Sequence, residues 1–193
     1  MLQRRPSSIA TMLGIVVLVA VVLVLLMQPG RTPVQPADFT ALSADASYTA
    51  KSSSTGDGFT LTVNLDDPAS AAGQTVYQGS YGSIVLEAVT DVSETGCTLQ
   101  FASSGGQDAD GKACLVSGAL PGEEGLMTAE ISLSPAGWHA EFGTEAAFTS
   151  TGNTFSLHMT EGNSADAATP ENASRQVTLT LRNLPQIVFT AKK

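Results

Sequence analysis

Basic residues are scarce in this 193-residue chain, and their scarcity excludes one class of partner. The chain has nine lysines and arginines against 18 aspartates and glutamates, which gives a formal net charge of -9 at pH 7. All 18 acidic residues follow residue 37, where six basic residues accompany them. An acidic surface repels the phosphate backbone of nucleic acids. The sequence therefore predicts no nucleic-acid partner.

Cysteines are limited to two, Cys97 and Cys114, and neither belongs to a C-x-x-C pair. A dithiol redox motif and a multi-cysteine zinc site are therefore excluded. An even pair of cysteines in an exported protein forms a disulfide, and the N-terminal pattern described below indicates export. A hairpin with its tip in the polar segment 103–112 would place the two side chains opposite each other. The sequence predicts a structural disulfide between Cys97 and Cys114.

The motifs of nucleophilic catalysis are also missing, and histidines are limited to His139 and His158. No G-x-S-x-G pattern surrounds any serine. Both histidines fall on the polar phase of period-two segments, beside apolar Trp138 and Leu157, so we expect exposed rings. The sequence therefore predicts a protein that is not an enzyme and has no cofactor.

The same two histidines support a metal hypothesis. If residues 138–142 and 155–159 pair as a hairpin centred near residue 148, His139 and His158 lie opposite each other, with Cβ atoms about 4.5–5.5 Å apart. Imidazole is a ligand of copper and zinc, but two ligands leave most of a coordination shell unfilled. Surface histidines without a metal are the competing interpretation.

Long apolar runs are absent except in residues 9–27, IATMLGIVVLVAVVLVLLM, which hold 19 uncharged positions. A helix of this length crosses a hydrocarbon core of about 30 Å, and lipid compels the backbone to be helical. Arg4 and Arg5 precede the run and favour a cytoplasmic N-terminus. We therefore predict a cytoplasmic segment (1–8), a single transmembrane helix (9–27) and an exported C-terminal domain in the periplasm or outside the cell. A cleaved signal peptide, with its shorter apolar region, is the alternative.

Small residues in the apolar run indicate a packing position for another membrane protein. Ala10 and Gly14 are four residues apart, the small-xxx-small spacing that lets two helices approach closely. A plain lipid-facing helix is the competing interpretation.

Helical periodicity is missing from the rest of the chain, where period-two segments recur instead. Residues 28–38 contain three prolines and predict a stiff linker. Residues 39–193 predict one extracytoplasmic domain, and the alternation of apolar and polar side chains from Phe59 to Leu65 is typical of its strands. With no helices available as crossovers, the strands should be antiparallel. We predict an all-β, immunoglobulin-like β-sandwich; a single closed sheet is the alternative.

These features predict a non-enzymatic, membrane-anchored accessory subunit. Its helix would dock within a larger membrane complex, and its exported sandwich would make protein–protein contacts with other membrane-protein subunits. The alternatives are copper handling or ligand binding at the outer surface, and a pilin-like filament subunit. The sequence does not identify a small-molecule ligand.

Overall fold

The computed structural model of the protein describes three ranges of residues: 37–121, 129–162 and 175–192. The predicted cytoplasmic segment (1–8), the predicted transmembrane helix (9–27) and most of the predicted linker lie outside these ranges, as do Ala10 and Gly14. Within the described ranges, no helix is both long and apolar enough to cross a membrane.

The described chain forms one short α-helix, one 3-10 turn and twelve strands. In chain order the elements are α1 (Phe39–Ala44), β1 (Tyr48–Ser54), β2 (Phe59–Asn64), the 3-10 turn (Pro68–Ala71), β3 (Gln74–Gly79), β4 (Gly82–Thr90), β5 (Gly96–Gln107), β6 (Ala113–Val116), β7 (Glu130–Ser134), β8 (Trp138–Phe142), β9 (Ala147–Phe148), β10 (Gly152–Glu161), β11 (Gln176–Arg182) and β12 (Pro185–Ala191).

The strands build two sheets in which every pairing is antiparallel. The larger, nine-stranded sheet runs β1-β12-β6-β5-β10-β8, with β4 beside β5, β3 beside β4 and β9 beside β10. The smaller sheet runs β2-β11-β7. The prediction of an all-β, antiparallel fold is confirmed. Helix α1 was not predicted.

Alternation of side chains explains why the small sheet forms. On β2, Phe59, Leu61 and Val63 are buried, whereas Thr60 and Thr62 between them are exposed. A strand directs successive side chains to opposite faces, so this pattern commits one face to the core and the other to water. Each large side chain that is fully buried contributes about 1.5–3 kcal/mol of hydrophobic stabilisation.

One hydrophobic cluster joins the inward faces of both sheets and holds most of the core. Its members include Phe59, Leu61, Val63, Ile84, Leu86, Leu99, Phe101, Val116, Phe155, Leu157, Met159, Val177, Leu179 and Leu181. The rings of Phe101 and Phe155 stack within it, with centroids 5.0 Å apart. Because residues of both sheets share this cluster, the two sheets stabilise each other.

Helix α1 is fixed to the domain through its first residue. A six-residue helix is not stable alone in water. The carboxylate of Asp38 caps it by accepting from the Ala41 N–H at 3.1 Å, and the Phe39 N–H donates to the Ser150 carbonyl at 3.3 Å. Phe39 is only 1% exposed, and its ring centroid lies 5.7 Å from that of Phe189. A second cluster of buried residues consists of Phe39, Leu115, Ile187 and Phe189.

The predicted disulfide between Cys97 and Cys114 is wrong, because both cysteines are free and buried. Strand β5 continues through residues 103–107, which the sequence analysis assigned to a hairpin tip. Cys114 consequently pairs with Gly106. Gly106 lies nine residues beyond Cys97 on the same strand, or roughly 30 Å at about 3.3 Å per residue. A disulfide requires Cα atoms about 4.4–6.8 Å apart.

The hairpin turns later than predicted because Asp108 organises a tight turn. Its Oδ1 accepts hydrogen bonds from the N–H groups of Asp110 at 3.0 Å and Lys112 at 2.8 Å. Gly111 has φ 77, a left-handed conformation that suits glycine. These contacts set the register in which Gln107 faces Ala113.

A buried polar network ties β5, β10 and the segment after β6 together. Asn153, which is fully buried, accepts through its side-chain oxygen from the Ser103 hydroxyl and donates through Nδ2 to the Ser117 hydroxyl at 3.0 Å. The Ser117 hydroxyl in turn donates to the Ala119 carbonyl at 2.6 Å. Buried polar groups are tolerated when they are hydrogen-bonded, so this network specifies how the three segments meet.

Candidate functional site

A groove with a volume of about 430 Å³ runs along β1, a strand at one edge of the large sheet. Residues from α1, β1, β9 and β12, together with the segment after β6 and the residue after β12, line it. The lining residues are Leu42, Ser43, Tyr48, Thr49, Ala50, Lys51, Ser52, Leu120, Pro121, Phe148, Ile187, Phe189 and Lys192. Five consecutive residues of β1 are among them, so the groove follows the backbone of this strand.

The hydrogen bonds at the two ends of β1 show which of its backbone groups face β12. The Lys192 N–H donates to the Ser47 carbonyl at 2.7 Å, and the Thr55 N–H donates to the Leu184 carbonyl at 2.9 Å. Between these ends β1 and β12 keep one unbroken register. In an antiparallel pair, residues that bond the partner strand alternate with residues that do not. The odd-numbered residues of β1 therefore bond β12.

The even-numbered residues of β1 consequently direct their backbone N–H and C=O groups away from β12. The Tyr48 N–H is used by the Asp45 carbonyl, at 3.0 Å. Ala50 and Ser52 lie in the middle of the strand, and within the described ranges β1 has no strand on its other side. This edge therefore presents backbone donors and acceptors to any segment that lies along it.

Small side chains on β1 leave the groove open. Ala50 lies directly opposite Phe189, and Ser52 lies opposite Ile187, so all four are on one face of the sheet. Phe148 meets Phe189 edge to face, with ring centroids 5.5 Å apart. A large residue in place of Ala50 or Ser52 would fill the space. The walls of the groove are thus apolar, while its open side is backbone.

Positive charge is concentrated around the groove, in contrast to the rest of the acidic chain. Lys51 and Lys192, two of the nine basic residues, belong to the lining, and its described residues include no carboxylate. Asp45 lies near Lys192, and two hydrogen bonds from Ser47 lower the pKa of its carboxyl group, with a smaller contribution from the Lys192 ammonium. The groove combines apolar walls, free backbone groups and two lysines.

The two histidines lie on one face of the large sheet but are not opposed as predicted. His139 pairs with Thr160, whereas His158 pairs with Glu141 on one side and Thr98 on the other. The register of β8 and β10 differs by two residues from the predicted hairpin, which makes the histidines diagonal neighbours with a typical separation of about 7–8 Å. Nδ1 of His158 lies 3.0 Å from the Thr98 hydroxyl. No group of three His, Cys, Asp or Glu residues suited to a metal occurs within the described ranges.

Both thiols are held in their neutral form by burial. Desolvation raises the pKa of Cys97 to about 11, although the nearby Arg175 guanidinium partly offsets this effect. Desolvation also raises the pKa of Cys114, with a further contribution from the Asp108 carboxylate. The thiolate is the nucleophilic and metal-binding form of cysteine. Neither residue is therefore activated for covalent chemistry.

The groove could not be predicted from the sequence, because five separate segments of the chain create it. Period-two alternation is consistent with β12, which holds Ile187 and Phe189, as a strand with one buried face. Nothing in the spacing of these residues shows that β1 and β12 are neighbours, or that Phe148 lies beside them. The small side chains of Ala50 and Ser52, two residues apart on β1, are the one local feature that indicates open space on this face of the sheet.

Comparison with models of known protein families, with curated proteins and with solved structures finds no match to this chain. Its own residues are therefore the basis for a functional proposal.

Proposed function

We propose that the protein is a non-enzymatic accessory subunit of a larger membrane complex. In this proposal residues 9–27 form an uncleaved transmembrane helix with a cytoplasmic N-terminus. The β domain is held on the outer side of the membrane, where it contacts other subunits. Ala10 and Gly14 are the positions at which the transmembrane helix packs against a neighbour.

The burial of Phe39 against the domain is the observation that supports this proposal. Phe39 directly follows the proposed linker (28–38), is 1% exposed and packs against Phe189. Its backbone is also bonded to Ser150. Phe39 therefore ties the point where the proposed linker enters the domain to the core of that domain. A firmly attached entry point suits a domain that is held beside neighbouring subunits.

The proposed linker limits how far the domain can stand from the membrane. Eleven residues span at most about 36–40 Å when fully extended. Three prolines stiffen the segment and favour extended backbone. The β domain would therefore remain within reach of the extracytoplasmic parts of membrane proteins beside it.

Purification from native membranes tests the proposal. The tagged full-length protein, solubilised in mild detergent, should co-purify with the same membrane proteins in fixed stoichiometry, as measured by mass spectrometry. Phe39→Ala, at a temperature where Trp138 fluorescence shows that it is folded, should remain in the membrane but lose these companions, because the entry point of the chain is no longer packed into the core. Thr40→Ala, an exposed change in the same helix, should retain them. A wild-type protein that purifies alone would count against an accessory subunit.

The finer prediction about the fold also belongs to this proposal. We propose that the two sheets form an immunoglobulin-like sandwich. The hydrophobic cluster shared by both sheets supports a sandwich, since each sheet buries one face against the other. An immunoglobulin domain has seven to nine strands in total, whereas the large sheet alone has nine here, so the large sheet is where the two arrangements differ.

Ligand binding at the outer surface is the second candidate function, and the groove beside β1 favours it. Its volume falls in the range of about 300–1,000 Å³ that is usual for binding sites, and Phe148, Ile187 and Phe189 give it an apolar wall beside polar groups. Copper handling by His139 and His158 remains a weaker alternative, since the two rings are diagonal and bring no third ligand from the described ranges.

A further inference from the structure

We infer that an extended segment of a partner protein adds to the free edge of β1 as a further antiparallel or parallel strand, with its apolar side chains in the groove. This inference deepens the proposed function, because it names the chemistry of the partner that an accessory subunit would hold. It rests on the backbone of β1, on the walls of the groove and on Lys51.

The backbone of β1 is suited to strand addition. Its seven residues pair with β12 without a register shift, and the strand contains no proline. Natural edge strands are usually protected by prolines, bulges or charged side chains, and of these devices β1 carries a single lysine, Lys51. β3, by comparison, has a register shift between Thr75 and Tyr77. Ala50 and Ser52 direct their N–H and C=O groups outward, and no residue of the described part of the chain bonds them, so they can supply the hydrogen bonds that an added strand requires.

The groove determines which side chains the added strand should carry. Residues opposite Ala50 and Ser52 would lie on the face that holds Phe189 and Ile187, where apolar side chains would contact the walls. The residue opposite Lys51 would lie on the other face, because successive side chains alternate. A directly opposed acidic residue would there pair with the Lys51 ammonium. The partner segment therefore alternates apolar and acidic residues.

The net negative charge of the chain does not oppose this pairing at physiological salt. Exposed charges separated by more than about 8 Å are largely screened there, whereas directly opposed side chains lie closer than that. Lys51 and Lys192 are consequently the charges that an acidic strand along β1 meets first. A basic strand would bring like charges together on the same ladder.

Peptide binding tests the inference in the full-length protein, held in a nanodisc of zwitterionic lipid at about 0.15 M salt. The probe is a fluorescein-labelled heptapeptide, Glu-Val-Glu-Val-Glu-Val-Glu, and binding is measured by fluorescence anisotropy. The comparison peptide has Lys at each Glu position. We expect saturable binding of the acidic probe, about threefold tighter than the basic one. A version with N-methylated valines, which lacks half of the donors, should not bind.

Three variants separate strand addition from other modes of binding. Ala50→Pro removes an outward N–H without touching the bonds to β12 and should weaken binding about tenfold. Ala50→Val is the matched control; it keeps the N–H and a similar bulk, and it should change affinity less than Ala50→Pro. Lys51→Glu should reverse the preference between the acidic and basic probes. The fluorescence of Trp138 should show that all three variants remain folded.

The inference is overturned if the acidic probe does not bind saturably, or if Ala50→Pro and Ala50→Val affect binding equally. The result of the peptide-binding test can be distinguished from the result of the co-purification test of the proposed function. Companions that co-purify equally with wild type and Ala50→Pro would leave an accessory subunit standing and remove strand addition. A protein that purifies alone but binds the probe through β1 would do the reverse.

Discussion

Replacing Phe39 with alanine tests whether α1, at the start of the β domain, is packed into the core of that domain. The ring is 1% exposed, and it belongs to the cluster with Leu115, Ile187 and Phe189. Truncation of a buried phenylalanine to alanine costs about 3–5 kcal/mol, as lost transfer free energy plus the cavity that remains. Domains have a total stability of about 5–15 kcal/mol, so the free energy of unfolding should fall by a large fraction.

Urea unfolding of the full-length protein in mild detergent measures this loss. Trp138 is the single tryptophan and lies on β8, at the opposite end of the large sheet from β1. Its fluorescence therefore reports unfolding of the whole domain and not local release of α1. The midpoint should shift without a change in the slope of stability against urea concentration. Thr40→Ala is the matched control, and an exposed change of this kind should remain within about 0.5 kcal/mol.

A substitution at Gly105, which lies against the Phe39 ring, tests the same packing from the other residue. A Cβ added at Gly105 would overlap the Phe39 ring and lie 2.5 Å from the Cys114 carbonyl oxygen. Gly105→Ala should therefore be destabilising, and the double variant should lose less than the sum of the two single losses, because removal of the ring relieves part of the overlap. A loss below about 1 kcal/mol for Phe39→Ala, or strict additivity in the double variant, would show that the Phe39 ring is not packed against Gly105 in the core.

Four further predictions concern the buried polar network, the two cysteines and the two histidines. Asn153→Ala should lower the free energy of unfolding by about 1–3 kcal/mol, because the buried hydroxyls of Ser103 and Ser117 each lose one hydrogen bond; urea unfolding that shows no loss would mean that the network is not formed. Cys97 and Cys114 should both react with a thiol reagent only after unfolding, and an intact mass two units short, the signature of a disulfide, would contradict the register of β5. Burial raises the pKa of Cys97 from its ordinary value of 9.0 to about 11, so its contribution to stability is complete below pH 9 and is lost as the pH rises towards 11; Cys97→Ala should flatten stability against pH in that window. Replacing both His139 and His158 with alanine should leave zinc and copper affinity unchanged in calorimetric titrations, since the rings are not opposed, and a large loss would restore the metal hypothesis.

Local alternation predicted the fold class and many of the core residues. Apolar residues spaced by two, as in Phe59, Leu61 and Val63, are committed to one face of a strand wherever that strand lies in the sheet. This information is local, so a single sequence carries it. The same alternation puts Phe155 and Leu157 of β10 on one buried face.

Long-range register could not be predicted, and both errors in pairing arise from it. Residues 103–107 are polar and include two glycines, which is typical of a turn, yet β10 pairs with β5 as far as Ser104 and β6 pairs with residues 105–107. The true turn depends on the hydrogen bonds that Asp108 accepts. The histidine register likewise depends on how β8 lies against β10. Helix α1 was missed because six residues are too few to show a 3.6-residue period, and its stability comes from the burial of Phe39.

The topology of the full-length protein in intact cells that express it tests most directly whether the β domain is exported on an uncleaved anchor. An external protease should digest the β domain without cell lysis, while an epitope placed before residue 9 should survive. The undigested chain should also retain residues 9–27 by mass and should remain in the membrane after alkaline extraction. A domain that is protected from the protease, or a chain that is released after cleavage near residue 27, would contradict an exported domain on an uncleaved anchor.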